Sequence, residues 1–295
     1  MSLHLGLDLG GTNVKCALVD GERVVAQASA PTRSASGPED VLARVAELGR
    51  ATAAPFGPVA SAGLGLPGHF DSIAGTASLL PNLRGDWLGR PIAGPLGDAL
   101  GVPVALVNDV RAMTLAELRL GAGRGAQDLV CVALGTGVGG GVVIGGRLHL
   151  GLGHAGEIGH TTVLPDGPLC GCGNRGCLDR VAAASAIAAA AGRDTVEEAV
   201  GAAGDGDVRA RDALAEAGRH VGLALAGAIV LLWPQRVVVG GGVAAAGELL
   251  LGPLREEVRR RARVAPVDAI AIVPAQLGAG AGAIGAALWG AQSEP

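Results

Sequence analysis

Four residues in the middle of the chain carry the most specific chemistry. His160, Cys170, Cys172 and Cys177 form a His-x9-Cys-x-Cys-x4-Cys array. Thiolate sulfur and imidazole nitrogen suit tetrahedral Zn²⁺, and four protein ligands close the shell, so such a site is structural. Gly171, Gly173 and Gly176 let the chain fold tightly around an ion. A disulfide is the competing reading, disfavoured in a reducing cytosol. His154 is a rival for the imidazole position. Cys16 and Cys131 stand alone in strand-like runs and read as core.

A second constellation lies at the start of the chain, in Leu5-Gly-Leu-Asp-Leu-Gly-Gly-Thr12. The alternating leucines read as a strand, and Gly10 and Gly11 break it. Glycines allow sharp backbone turns and let an anion approach main-chain N–H groups, so the turn with Thr12 can cradle a phosphate. Asp8 can orient a hydrated Mg²⁺, a hard cation that needs only one or two carboxylates. Val14 to Asp20 reads as a second strand, which makes the turn a hairpin and not a Walker A loop. A hairpin without a ligand fits the same residues. Lys15 is the only lysine in the chain. It reads as a solvated strand-end residue, with help in holding phosphate as the alternative.

The strand–glycine turn–strand pattern recurs. Asp128 to Leu134 and Val138 to Ile144 flank Gly135-Thr136-Gly137, and Arg236 to Val239 runs into Gly240-Gly241-Gly242. A third site candidate is Asn108-Asp109, which follows a buried strand over 102–107. The carboxyl end of a strand is the usual place for ligand chemistry in an α/β domain. The same pair can also cap the helix expected over 110–120, and the two roles are compatible.

The elements that must position these residues follow from periodicity. Residues 3–30 read as three strands, with Asp20-Gly21 as a turn. A helix is expected over 39–54, a strand over 59–66 ending at Pro67-Gly68, and an irregular stretch around 79–83. A helix over 91–100 precedes the strand that leads to Asn108. Alanine-rich helices are expected at 183–191 and 207–232, and a final helix at 278–290. Two hairpin starts, each followed by alternating strands and helices, suggest two related α/β domains. The expected domains are 1–121, completed by the last helix near 278–295, and 122–277, which holds the cysteine loop and a helical insert.

The 295 residues are 49% hydrophobic, enough for a sizeable core in one large or two medium domains. A net charge of −4 with 2% aromatics leaves no basic stripe or stacking platform, which excludes nucleic acid as the main partner. The start of the chain has no basic segment followed by an apolar signal region. No apolar run of membrane-spanning length is free of glycine and charge. The expectation is a cytoplasmic protein with no membrane partner. A homo-oligomer, dimer or tetramer, is also expected.

Taken together, Asp8-Leu-Gly-Gly-Thr12, Pro67-Gly68, Pro81-Asn82-Leu83, Asn108-Asp109, Leu134-Gly-Thr-Gly137, Gly156-Glu-Ile-Gly-His160 and Cys170-Gly-Cys-Gly-Asn-Arg-Gly-Cys177 resemble the ROK family (repressors, open reading frames and sugar kinases). That family lies within the hexokinase/actin-like ATPase superfamily. The resemblance covers essentially the whole chain and is most specific in the Gly-Glu-Ile-Gly-His segment and the cysteine array. It implies two ribonuclease-H-like α/β domains with a cleft between them. It places ATP phosphates against Gly10, Gly11, Thr12, Gly135, Thr136 and Gly137, with the adenosine near Gly240, Gly241 and Gly242. It places the sugar against Gly68, Asn82, Asn108, Asp109, Glu157 and His160, so that His160 both ligates zinc and faces the sugar. Where the family usually carries Glu as a further sugar contact, this chain has Asp179, one methylene shorter, which leaves the identity of the hexose open.

On this reading Asp109 is the base for a sugar hydroxyl, a weak nucleophile near neutral pH, and Asn108 binds a neighbouring hydroxyl. The expected activity is ATP-dependent phosphorylation of a hexose, glucose first. N-acetylmannosamine, N-acetylglucosamine, fructose or allose are alternative acceptors, and polyphosphate is an alternative donor. A sugar-sensing regulator is less expected. Family regulators carry a helix-turn-helix ahead of the first glycine motif, and only four residues precede Leu5 here. A noncatalytic actin-like or chaperone-like ATPase would gain nothing from the cysteine array or Glu157.

Overall fold

The structure is a computed structural model and describes residues 2–292. The chain folds as two compact units. One runs to Gly121 and resumes at Ala279; the other spans Ala122–Gly278.

The first unit begins with β1 (Leu3–Leu9), β2 (Asn13–Asp20) and β3 (Arg23–Pro31), an antiparallel meander. Helix α1 (Pro38–Ala53) follows, started by Pro38 and by Glu39 and Asp40 in its first turn. Then come β4 (Val59–Leu66), a small hairpin of β5 (His69–Asp71) and β6 (Thr76–Leu79), α2 (Ala93–Leu100), β7 (Val104–Asn108) and α3 (Asp109–Leu120). The main sheet has the order β3-β2-β1-β4-β7, with β4 and β7 parallel to β1.

Period-two alternation decides which face each helix covers. Leu5, Leu7 and Leu9 are fully buried, and α1 lies on the Leu5/Leu7 side: a Cβ on Gly49 would sit 2.9 Å from Leu5 and 3.6 Å from Leu7. Gly6 and Gly63 point to the opposite face. There helix α9 (Ala281–Gln292) packs so closely that a Cβ on either glycine would overlap its backbone carbonyls. Trp289 of α9 donates its indole N–H to the Leu106 carbonyl at 3.0 Å.

The second unit repeats the plan. Strands β8 (Leu129–Leu134), β9 (Val138–Ile144) and β10 (Arg147–His149) form an antiparallel meander. β11 (Arg236–Gly240) and β12 (Ala271–Pro274) add parallel to β8, giving β10-β9-β8-β11-β12. Both five-stranded sheets therefore have the same order and the same strand directions. Between β10 and β11 lie α4 (Asp179–Ala182), α5 (Ala184–Ala191), α6 (Val196–Gly204) and α7 (Val208–Leu232); α8 (Glu248–Arg261) follows β11.

Helix α7 is the one described helix long and apolar enough to cross a membrane, and half of its most apolar window is buried within this unit. Gly218 and Gly222 let it approach the backbone of α8, where a Cβ would meet the carbonyls of Leu250 and Leu254.

The hairpins, the strand at 59–66 and the long helices match expectation. The helix expected from residue 91 starts at Ala93, and the strand expected over 102–107 runs Val104–Asn108. The hairpin β5–β6, the short strands β10 and β12, and helices α6 and α8 were not anticipated. In α8 the pair Gly252-Pro253, which reads as a break, lies inside the helix.

Candidate active site

In the first unit the carboxyl ends of β1, β4 and β7 bring separate motifs together. Parallel register sets Asp8 opposite Gly65, and Leu66 opposite Asn108. A Cβ on Gly65 would lie 3.5 Å from an Asp8 carboxylate oxygen and 3.7 Å from the Asp109 Cα, so this glycine is the gap between the two acids. The turn after β1 is pinned from β3's end by buried Thr32. Its N–H donates to the Thr12 carbonyl at 2.8 Å, and its hydroxyl donates to the Gly10 carbonyl at 2.7 Å. Gly11 packs on the Asn82 carbonyl, and Gly68, at φ 78°, packs on the carbonyl of Leu79 and on Pro81. Gly10 to Thr12, Gly68 and Asn82 thus form one loop cluster, with Thr12 and Asn82 exposed.

Asn108 caps α3. Its side-chain oxygen accepts from the N–H groups of Val110 and Arg111 at 3.1 and 3.2 Å. Asp109 is half-buried as the first residue of α3, and its Oδ1 accepts from the Val110 N–H at 2.8 Å. The capping role therefore falls chiefly on Asn108, which leaves Asp109 held at the strand end.

Lys15 stands directly across the β1–β2 pair from Asp8 and is half-buried. Burial pushes the Asp8 carboxyl up to about 6, and the Lys15 charge pulls it part of the way back. Helix α9 contributes to that burial, since a Cβ on Gly282 would meet the Asp8 carboxylate at 2.6 Å. A carboxyl whose folded value lies above its ordinary one binds protons more tightly in the fold. Stability from Asp8 is therefore highest at low pH and is lost as pH rises toward 6. Asp8→Asn should stabilise the ligand-free protein by about 2–3 kcal/mol at pH 7, a gain that shrinks to about 0.5 kcal/mol near pH 4 and vanishes below about pH 3. Urea melts of both proteins across that range check this; a gain independent of pH would sink it.

In the second unit the two remaining glycine turns sit side by side. Gly240 pairs with Ala133 at the carboxyl ends of β11 and β8. Gly241, at φ 84°, lies against the backbone of Leu134, one residue before Gly135. Gly135 to Gly137 is closed by the Gly135 N–H donating to the Gly137 carbonyl at 2.9 Å, with Thr136 and Gly137 exposed. The glycines of the 156–160 segment explain its spacing. Gly156 abuts the Gly140 backbone and Gly159 the Val138 carbonyl, so the turn seats on β9 with Glu157 and His160 at its two ends. The His160 N–H donates to the Glu157 carbonyl at 3.0 Å. One Asp179 carboxylate oxygen accepts from the Val138 N–H at 2.8 Å.

The ligand atoms of His160, Cys170, Cys172 and Cys177 lie within 4.8 Å of one another. His160 Nδ1 is 3.7 Å from Cys170 Sγ, and Cys172 Sγ is 3.7 Å from Cys177 Sγ. A tetrahedron of sulfurs about 2.3 Å from zinc has edges of about 3.8 Å, so the donor set and its spacing fit that ion. All five cysteines are free thiols, and Cys16 and Cys131 are buried in β2 and β8. His154 lies outside the cluster. With Nδ1 turned to the Cys170 sulfur, Nε2 is the His160 nitrogen left for a ligand outside the cluster.

Sequence reasoning missed Gly65, Thr32 and Gly282. Alternate glycines inside the β4 strand, at 63 and 65, are a readable sign of close backbone approach. Nothing local marks Thr32 or Gly282.

The sequence model of the ROK family matches residues 4–293. The chain is 36% identical to the glucokinase of Thermotoga maritima across 96% of this chain and 95% of that protein. It is 34% identical to the DNA-binding transcriptional repressor Mlc of Escherichia coli across 76% of this chain, spanning 58% of the repressor. Among solved structures it superposes on a ROK family glucokinase from Streptomyces griseus, in complex with glucose and AMPPNP. The TM-score is 0.85 at 34% identity, covering 99% of this chain and all of that one. With two like-ordered α/β sheets, the His/Cys₃ cluster and full-length similarity of this kind, the chain belongs to the ROK family.

Proposed function

We propose that the protein transfers the γ-phosphoryl group of ATP to a hexose hydroxyl, with glucose the first candidate and glucose 6-phosphate the product. The observation that carries the reading is the pair Asp8 and Asp109 on either side of Gly65, at the carboxyl ends of β1 and β7, the two strands that flank β4 in parallel. One carboxylate suits the phosphate side and the other the hydroxyl side of an in-line transfer. The similarity to glucokinases supports the choice of substrate class.

The roles follow from chemistry. Backbone N–H groups at Gly10 to Thr12 and Gly135 to Gly137 hold the donor phosphates, and Gly240 to Gly242 lie along the adenosine. Mg²⁺ would supply charge neutralisation on the phosphates, and Asp8 is the residue that would hold it. Asn82, Asn108, Glu157 and His160 orient the sugar, with Gly68 giving it close backbone approach. Asp109 accepts the hydroxyl proton as the oxygen attacks phosphorus. His160, Cys170, Cys172 and Cys177 would hold Zn²⁺, whose part would be to fix the His160 ring.

An assay of sugar-phosphate formation over glucose, N-acetylmannosamine, N-acetylglucosamine, fructose and allose tests this, with ATP and polyphosphate as alternative donors. Sugar-dependent turnover with glucose highest is the expected result. Sugar binding without turnover on any donor would overturn it in favour of a sugar-sensing regulator, a reading that the similarity to Mlc keeps in view.

A further inference from the structure

Asp179 lies two residues past Cys177 and opens α4. The family resemblance places it among the sugar contacts, yet one of its carboxylate oxygens is engaged by the start of β9. Oδ1 accepts from the Val138 N–H at 2.8 Å and would lie 2.9 Å from a Cβ on Gly137. Five residues on, the Ala184 N–H donates to the Gly135 carbonyl at 2.8 Å. The segment leaving the cysteine loop therefore grips the Gly135-Thr136-Gly137 turn at both ends. The loop itself is tied down beside it. The Leu178 N–H donates to the Thr161 carbonyl at 2.9 Å, Leu178 is fully buried, and Gly159, next to His160, packs on the carbonyl of Val138.

We propose that Asp179 is a positioning residue that transmits the order of the metal loop to the Gly135–Gly137 turn, and so sets affinity for donor phosphates and not for sugar. The inference rests on the reading of that turn as a phosphate turn. A carboxylate accepting one backbone N–H makes a stronger bond than a neutral acceptor and has one defined direction. Phosphate held by main-chain N–H groups needs those groups fixed before it arrives. Ordering the cysteine loop around an ion fixes Cys177, and through it the start of α4 and the Asp179 carboxylate.

Asp179→Ala and Asp179→Asn separate the roles, since the amide keeps an acceptor oxygen and the methyl does not. Zinc content should stay at one per chain in both. In Asp179→Ala, calorimetric affinity for AMPPNP should fall about tenfold and that for glucose should stay within about twofold. Hydrogen exchange at the Val138 amide should rise. Asp179→Asn, which keeps a weaker neutral acceptor, should fall between wild type and Asp179→Ala in AMPPNP affinity and Val138 exchange and leave glucose affinity unchanged, and chelating the metal from the wild type should raise Val138 exchange as Asp179→Ala does. Lost glucose affinity with AMPPNP binding intact would overturn the inference and return Asp179 to the sugar site. Unchanged exchange at Val138 would also overturn it. A wild type that binds no AMPPNP would instead refute the phosphate turn itself, a failure distinguishable from the first two.

Discussion

Replacing Asp109 by Asn is expected to lower kcat at least ~10²-fold while glucose affinity and thermal stability stay near wild type. The change alters one atom and keeps an oxygen that can accept from the Val110 N–H, the 2.8 Å bond made by Asp109 Oδ1. Helix α3 does not depend on the lost charge for its start, because Asn108 accepts from two of its first N–H groups. What disappears is the proton acceptor. The hydroxyl must then attack while still protonated, so the effect should fall on kcat and kcat/KM together with little change in substrate binding. Single-turnover kinetics at saturating glucose and ATP, beside calorimetric binding, measures both quantities. A rate within about threefold of wild type would remove Asp109 from the role of base, since general-base catalysis contributes roughly 10²–10⁴-fold.

The second large effect is expected at the metal cluster. Cys172 is the exposed cysteine of the four ligands, whereas Cys170 and Cys177 are buried. Cys172→Ser therefore removes a thiolate with little loss of packing, and whatever it changes is exerted through the ion. Wild type purified without chelator should hold one Zn²⁺ per chain by elemental analysis, and Cys172→Ser clearly less. Zinc binding to such a loop is folding free energy for that loop. Exchange should rise across residues 157–178, and the KM for sugar should increase about tenfold or more as His160 loses its fixed ring. Full zinc occupancy in Cys172→Ser would count against the assignment. So would a metal-free wild type with Cys170 and Cys177 joined in a disulfide.

Much of this molecule was legible before any coordinates. Leucine alternation before Gly10-Gly11 and valine-rich runs around Gly135–Gly137 determined the hairpins, because strand period and glycine turns are local properties. The cysteine array was legible for the same reason. Ligands from one short loop, with glycines between them, meet without help from the rest of the chain. Asn108 was readable as a cap, since a cap acts within three residues. Shorter or interrupted elements were not: β12 has four residues, and α8 carries Gly252-Pro253 inside it.

Only the tertiary structure decided which distant residues serve these motifs. The parallel register of β1 with β4 puts Gly65 between Asp8 and Asp109, and the return of α9 puts Gly282 against the Asp8 carboxylate and raises its proton affinity. The fold of β3 brings Thr32 to the turn at Gly10, and the exit from the cysteine loop turns Asp179 toward Val138. Strand register between segments far apart in sequence, and the seating of one helix on a sheet, depend on the summed packing of many side chains. No single stretch carries that information, so a side chain such as that of Asp179 can have its type and neighbours fixed locally and its partner settled only by the fold.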